Sequence, residues 1–167
     1  MGRKITLHAY ADLVENSRRT IPGISITTDI ITGFPGETED EFIKSLAFVQ
    51  QMNFAGGHVF TYSPRPGTPA AHFPDQIHPS IGKRRNAQMR QLIKHSACSF
   101  QMKHLGQTLS VLWEKARPVN EQQWEMSGLS DNYLRVHAVC SMPCYNQVTT
   151  VQIKAFDEYD LLGEILP

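Results

Sequence analysis

Four groups of residues in this sequence have types and spacings that could carry chemistry. Gly33-Phe-Pro-Gly-Glu-Thr38 puts glycines where a backbone bends sharply or lets something approach closely. It is not a phosphate-cradling P-loop, which needs Lys and then Ser or Thr directly after its last glycine, where Glu37 stands. A plain strand-to-helix turn and a ligand-binding loop both remain open for it. Arg65 lies where five of the ten prolines (Pro64, Pro66, Pro69, Pro74 and Pro79) fall within sixteen residues. A guanidinium in so rigid a loop can clamp a carboxylate or phosphate through two parallel hydrogen bonds, or tie down the loop's own carbonyls. Lys83, Arg84, Arg85, Arg90, Lys94 and Lys103 sit in a stretch, Gln76 to Trp113, without one acidic residue. Such a stripe either faces phosphates or is an ordinary solvated helix face. Asn132, Tyr133 and Arg135 combine an amide, a ring for stacking and a cation, which suits single-stranded RNA on a small barrel.

The cysteines and histidines point elsewhere. Cys98, Cys140 and Cys144 are an odd number in a chain of 167 residues, long enough to build a core without covalent staples, so free thiols are expected. The seven histidines form no metal-spaced pair, and no metal ligand is assigned. The 16 basic and 16 acidic residues cancel overall but are divided, about +4 over residues 1–104 and −4 over residues 105–167. That balance is a weak electrostatic footprint for RNA in the second part. No apolar run approaches the roughly 18 residues of a membrane span, and the first residues lack a signal-peptide core, so a cytoplasmic protein without a membrane partner is expected. Met1-Gly-Arg-Lys-Ile-Thr6 matches the N-myristoylation pattern, which is read as coincidence.

Positioning these residues needs two different architectures. Tyr10, Leu13 and Val14 mark a helix over residues 6–19 that Pro22 and Gly23 stop. The β-branched run from Ile24 to Ile31 predicts a strand covered on both faces. Thr38 with Glu41 makes a capping box, and Phe42, Leu46 and Val49 continue as the core face of a helix to about Met52. A second strand, His58 to Tyr62, completes a parallel βαβ unit. After the proline-rich loop, Ser80 is expected to cap a helix running to about His104, with Leu92, Ile93, Ser96 and Phe100 on one face. Past Gly106 only strand-like segments follow: Thr108–Trp113, Tyr133–His137, Val148–Phe156 and Leu161–Leu166, the pattern of a small antiparallel barrel. The fold class is therefore α/β followed by all-β. Two parallel strands cannot by themselves fill a sheet, so the first unit reads as incomplete.

Three long motifs narrow this further. Thr28-Asp-Ile-Ile-Thr-Gly-Phe-Pro-Gly-Glu-Thr-Glu-Asp-Glu-Phe42, His58-Val-Phe-Thr-Tyr-Ser-Pro-Arg-Pro-Gly-Thr-Pro-Ala-Ala71 with Asp75-Gln-Ile77, and Ser130-Asp-Asn-Tyr-Leu-Arg-Val136 resemble, in order and spacing, the radical S-adenosylmethionine tRNA methylthiotransferases. The Ser-Pro-Arg-Pro-Gly-Thr-Pro-Ala-Ala form is most similar to the MtaB-type branch, with the MiaB-type branch its near neighbour.

The resemblance implies the C-terminal part of such an enzyme. Residues 1–104 would be the end of a radical S-adenosylmethionine α/β partial barrel, and residues 105–167 a TRAM domain, an OB-like β-barrel. It implies a transferase that methylthiolates threonylcarbamoyladenosine beside the tRNA anticodon, using S-adenosylmethionine and 4Fe-4S clusters. Ile31 and Gly33, with the backbone at Phe60 and Tyr62, would border the adenosyl group. Arg65, Arg84, Arg85, Asn132, Tyr133 and Arg135 would touch the anticodon stem-loop. The family's three cluster cysteines and its Cys-x3-Cys-x2-Cys motif have no counterpart, since Gln147 stands where Cys140 and Cys144 would need a third thiolate. No catalytic residue is therefore assigned, and the chain alone is not expected to be active. The alternative is a non-catalytic RNA-binding or assembly module that complements a separately encoded N-terminal half. A truncated reading frame without function is a third possibility.

Overall fold

The computed structural model describes residues 4–157 and 160–166. They form two units, the first ending at Ala97 and the second beginning at Cys98.

In the first unit helix α1 (Leu7–Thr20) opens on Thr6, whose side chain accepts the Ala9 N–H. Strand β1 (Thr27–Thr32) follows, then helix α2 (Glu39–Met52) and strand β2 (Gly56–Thr61). β1 and β2 pair in parallel, from Thr27 against Gly56 to Thr32 against Thr61. The expected βαβ unit is present, and so is the reciprocal capping box of Thr38 and Glu41. The strand begins three residues later than the β-branched run predicts, because Ile24–Ile26 have no strand opposite them. The proline-rich segment holds one short 3-10 turn, Pro69–His72.

Helix α3 (Pro79–Met102) starts before the expected cap. Pro79 takes the first helical position, where a missing N–H costs nothing, and Ser80 is the second residue. His78 does the capping instead: its carbonyl accepts the N–H groups of Ile81 and Gly82, and its Nδ1 accepts that of Ser80. The core of this unit is Val14, Phe42, Val49, Met52, Phe54, Met89 and Ile93, with Ile30 and Val59 packed on it. Those two strand residues face the helices. The alternate residues Asp29, Ile31, His58 and Phe60 are exposed, so the other face of the sheet is bare.

In the second unit strands β3 (Thr108–Asn120), β4 (Gln123–Ser130), β5 (Arg135–Cys140), β6 (Val148–Phe156) and β7 (Leu161–Ile165) close a barrel in the order β3-β4-β5-β7-β6. The expectation of a purely antiparallel sheet is corrected: β5 and β7 pair in parallel, Val136 opposite Leu161. A five-stranded closure brings the last strand beside the middle one, and that join fixes the direction. Strand β4 is also additional to the expected four. The barrel is filled by Val111, Trp113, Met126, Val136, Val151, Ile153 and Leu161, all inaccessible to solvent. Trp113 satisfies its indole N–H on Thr149 Oγ1 at 2.8 Å, as a buried tryptophan must. Gly128 is required where β4 crosses β3, since a Cβ there would lie 2.3 Å from the Leu112 carbonyl oxygen.

Candidate functional site

The Gly33 loop is built by a network that links three segments. Gly33 adopts φ +73°, a left-handed conformation that favours glycine, and a Cβ on it would sit 3.2 Å from Gly82 Cα on α3. Its N–H donates to Glu37 Oε2 at 2.7 Å. The same oxygen accepts Arg85 Nη1 at 2.8 Å, and Arg85 also donates to the Glu37 carbonyl at 2.8 Å and to Glu39 Oε2 at 2.8 Å. The Arg85 side chain is 4% exposed, and its guanidinium lies over the Phe42 ring, 5.3 Å from the centroid. A buried guanidinium needs such compensation, because desolvation opposes its charge. The hydrogen bond from Arg85 is the main influence that holds the Glu39 carboxyl below the usual range. Glu41 is lowered too, chiefly by the Thr38 backbone N–H of the capping box. Gly36 N–H donates to Asp75 O at 3.0 Å, tying the proline-rich loop to this turn.

Beside this turn the bare sheet face presents Ile31 and Phe60, cross-strand partners that are 41% and 53% exposed. One register step back, Asp29 lies opposite His58. Thr32 is buried at the strand end, and its carbonyl accepts the Tyr62 N–H at 2.8 Å. The Tyr62 ring meets Phe34 edge-on at 5.2 Å, and Phe34 meets Phe73 at 6.2 Å. The Tyr62 hydroxyl is buried and has no hydrogen-bond partner among the described residues. Ile31, Gly33, Phe60 and Tyr62 are thus brought together at one end of the β1–β2 sheet.

The basic residues do not share one environment. Arg65 is exposed, and its carbonyl, not its guanidinium, stabilises the loop by accepting from Thr68 N–H and Oγ1. Arg84 is half exposed and pairs with Glu39 at 3.2 Å. Arg85 faces inward, as described above. Lys83 and Arg90 are exposed on α3.

In the barrel unit the turn from Ser130 to Leu134 is self-bonded. Ser130 Oγ donates to Asn132 Oδ1 at 2.6 Å and accepts the Leu134 N–H at 2.9 Å, while the Tyr133 N–H donates to Ser130 O. Asn132 Nδ2 lies 3.1 Å from His104 Nε2, and His104 Nδ1 lies 3.0 Å from Phe100 O. An amide donor on one ring nitrogen and a carbonyl on the other fit the Nδ1–H tautomer. Asn132 is therefore a girder of the turn. Tyr133, at φ +63°, is 80% exposed and stands out from it. Arg135 Nη1 pairs with Glu114 Oε2 at 2.6 Å. Sequence reasoning did not single out Glu37, Glu39 or His104. The carboxylates lay within a quoted motif, but their partner is 46–48 residues away, and nothing local signals the pairing.

Among the described residues no three His, Cys, Asp or Glu side chains could hold a metal ion together, and no helix is long and apolar enough to cross a membrane. No family model matches the chain. Curated proteins do. A tRNA-2-methylthio-N(6)-dimethylallyladenosine synthase of Ehrlichia chaffeensis is 40% identical over 117 residues, 70% of this chain and 26% of that protein. The threonylcarbamoyladenosine tRNA methylthiotransferase MtaB of Bacillus subtilis is 35% identical over 81% of this chain and 30% of its own length. A tRNA-2-methylthio-N(6)-dimethylallyladenosine synthase of Geobacillus kaustophilus is 32% identical over 99% of this chain and 31% of its own. The chain spans about a third or less of the length of these relatives. With both substrate branches represented among its matches, the chain is a relative of the tRNA methylthiotransferases.

Proposed function

We propose that residues 1–104 supply part of the S-adenosylmethionine-binding wall of a tRNA methylthiotransferase, and that residues 105–167 are a TRAM domain contacting the tRNA anticodon stem-loop. The observation that carries this reading is the bare face of a parallel sheet. Parallel sheets occur with both faces covered, yet Ile31 and Phe60 lie open beside a left-handed glycine. An adenosyl group fits that set: its flat ring can cover the two apolar side chains. Gly33 lets backbone approach the ligand without a side chain between them. Glu37 and Arg85 hold that backbone in place. Arg85 is accordingly a positioning residue for the loop, and phosphate contact falls to Arg65, Arg84, Lys83 and Arg90. The described residues do not fit a 4Fe-4S cluster, which takes a set of cysteine thiolates. In this reading the whole enzyme replaces a C–H of a modified adenine with a methylthio group, and threonylcarbamoyladenosine is the substrate favoured by the Ser63-Pro-Arg-Pro-Gly-Thr-Pro-Ala-Ala71 form.

In the barrel, Tyr133 offers a ring for base stacking, while Asn132 and the Arg135–Glu114 pair fix its surroundings. Two tests address the two halves. Equilibrium dialysis should show labelled S-adenosylmethionine bound by the chain and lost in Ile31→Asp. Stem-loop binding followed by anisotropy should weaken with salt at a slope near −2.8, about four phosphates at −0.7 each. Undetectable binding of both ligands at low salt overturns the proposal.

A further inference from the structure

Tyr133 is the exposed ring of the β4–β5 turn, yet its backbone lies at φ +63°, a left-handed conformation that a bulky side chain adopts at a cost. Such a residue stays in place only where its neighbours fix it. The turn is closed by its own backbone: Tyr133 N–H donates to Ser130 O and Ser130 N–H to Leu134 O, each at 2.9 Å. A side chain from outside the turn also reaches it. His104 is 5% exposed and stands on a segment sewn to β6, where Gly106 N–H donates to Ile153 O and Ile153 N–H to Gln107 O, each at 2.9 Å. Its ring meets Phe100 edge-on at 4.9 Å, and its Nδ1–H donates to Phe100 O at 3.0 Å. The other ring nitrogen, Nε2, lies 3.1 Å from Asn132 Nδ2.

We infer that His104 is the positioning residue of Tyr133, its Nε2 setting the direction of a hydrogen-bond chain that holds the tyrosine ring out toward a base. That role rests on the stacking of Tyr133 on the stem-loop proposed above. The direction follows from which group can donate. With Nδ1–H committed to Phe100 O, Nε2 can only accept, so Asn132 must turn its Nδ2 toward the ring. Asn132 Oδ1 is then left to accept the Ser130 hydroxyl at 2.6 Å. Ser130 Oγ, its hydrogen given to Asn132, accepts the Leu134 N–H at 2.9 Å. Tyr133 sits between Asn132 and Leu134, the two residues this chain pins. Ser130 is 5% exposed and Leu134 7%, so the chain runs largely out of water, where a mispaired polar group is costly. His104 itself is buried and acts through Asn132.

The test separates the two ring nitrogens in the full chain. A glutamine amide falls near the place of Nε2, whereas an asparagine amide falls near that of Nδ1. His104→Gln therefore keeps an acceptor for Asn132, and His104→Asn keeps only a donor for Phe100 O. Both lose the ring's packing alike. Binding of a labelled anticodon stem-loop, followed by anisotropy, should weaken about fivefold or more in Tyr133→Ala and in His104→Asn, and stay within about twofold of wild type in His104→Gln. Adding His104→Asn to Tyr133→Ala should change binding by less than about twofold, since the ring it positions is gone. The Leu134 amide should exchange about tenfold faster in His104→Asn than in His104→Gln. Should His104→Asn lose its fold by near-UV circular dichroism, Asn132→Ala breaks the same link from the turn side and carries the same expected loss, again absent beside Tyr133→Ala. No binding by wild type, or full binding by Tyr133→Ala, overturns the stacking reading and the positioning role with it. Equal losses in His104→Asn and His104→Gln, wild-type binding by His104→Asn, or additive losses in the double variant overturn the positioning role alone.

Discussion

Replacing Glu37 by Gln removes one charge from the network around Gly33 while keeping the side chain's size. Glu37 Oε2 accepts from both Gly33 N–H and Arg85 Nη1, at 2.7 and 2.8 Å. A neutral amide oxygen accepts both more weakly, and an amide nitrogen rotated into its place would face two donors. Loss of a charge-assisted buried hydrogen bond costs about 1.5–3 kcal/mol, and breaking a buried ion pair about 3–5. Arg85 keeps Glu39 and the Glu37 carbonyl as partners, so the lower range applies and Glu37→Gln should cost about 2–3 kcal/mol. Arg85→Met removes all three of these bonds and leaves Glu37 with Gly33 alone, for which about 3–5 kcal/mol is expected. Arg84→Ala is the control: its pair with Glu39 is half exposed on both sides and should count for less than about 1 kcal/mol. Urea unfolding separates the units, because both tryptophans, Trp113 and Trp124, report the barrel while far-UV circular dichroism follows the helices of the first unit. Equal midpoints for Glu37→Gln and Arg84→Ala in the helical transition would refute the reasoning.

Three further outcomes follow from the geometry. Gly33→Ala places a Cβ in a left-handed residue and against Gly82, so the first unit should lose about 1–2 kcal/mol, measured by the same unfolding curves. Tyr133→Ala should leave barrel stability within about 0.5 kcal/mol, because the ring is exposed, yet weaken stem-loop binding by about 1–3 kcal/mol of stacking. Because the Glu39 and Glu41 carboxyls are depressed in the folded chain, their contribution is complete above the ordinary value of 4.5 and is lost as pH falls through their lowered values. The helical transition should therefore weaken below pH 4.5, and Glu39→Gln should flatten that fall.

What the sequence revealed was whatever neighbouring residues decide. Thr38 and Glu41 are three apart and cap each other, so the helix start was legible, as was the βαβ unit around it. Strand β4 was missed because its inward positions include Gly128 and Ser130, which carry no β-branched signal. Gly128 is there because the Leu112 carbonyl leaves no room for a side chain, a condition imposed from another strand. The parallel join of β5 and β7 is likewise decided only when the barrel closes. The same limit governs the site. Ile31, Gly33, Phe60 and Tyr62 were gathered by motif resemblance, but the role of Arg85 depends on carboxylates more than forty residues away. In sequence it is one of six cations on a helix. In the fold it is the residue that faces inward and holds the loop.

The most direct test of the account is to map S-adenosylmethionine on the chain by backbone amide chemical shifts. The account predicts that shifts concentrate at Ile31, Gly33, Phe60 and Tyr62 and weaken in Glu37→Gln, whose loop is no longer held. Shifts confined to the barrel, or a saturating titration that leaves those four amides unmoved, would contradict it.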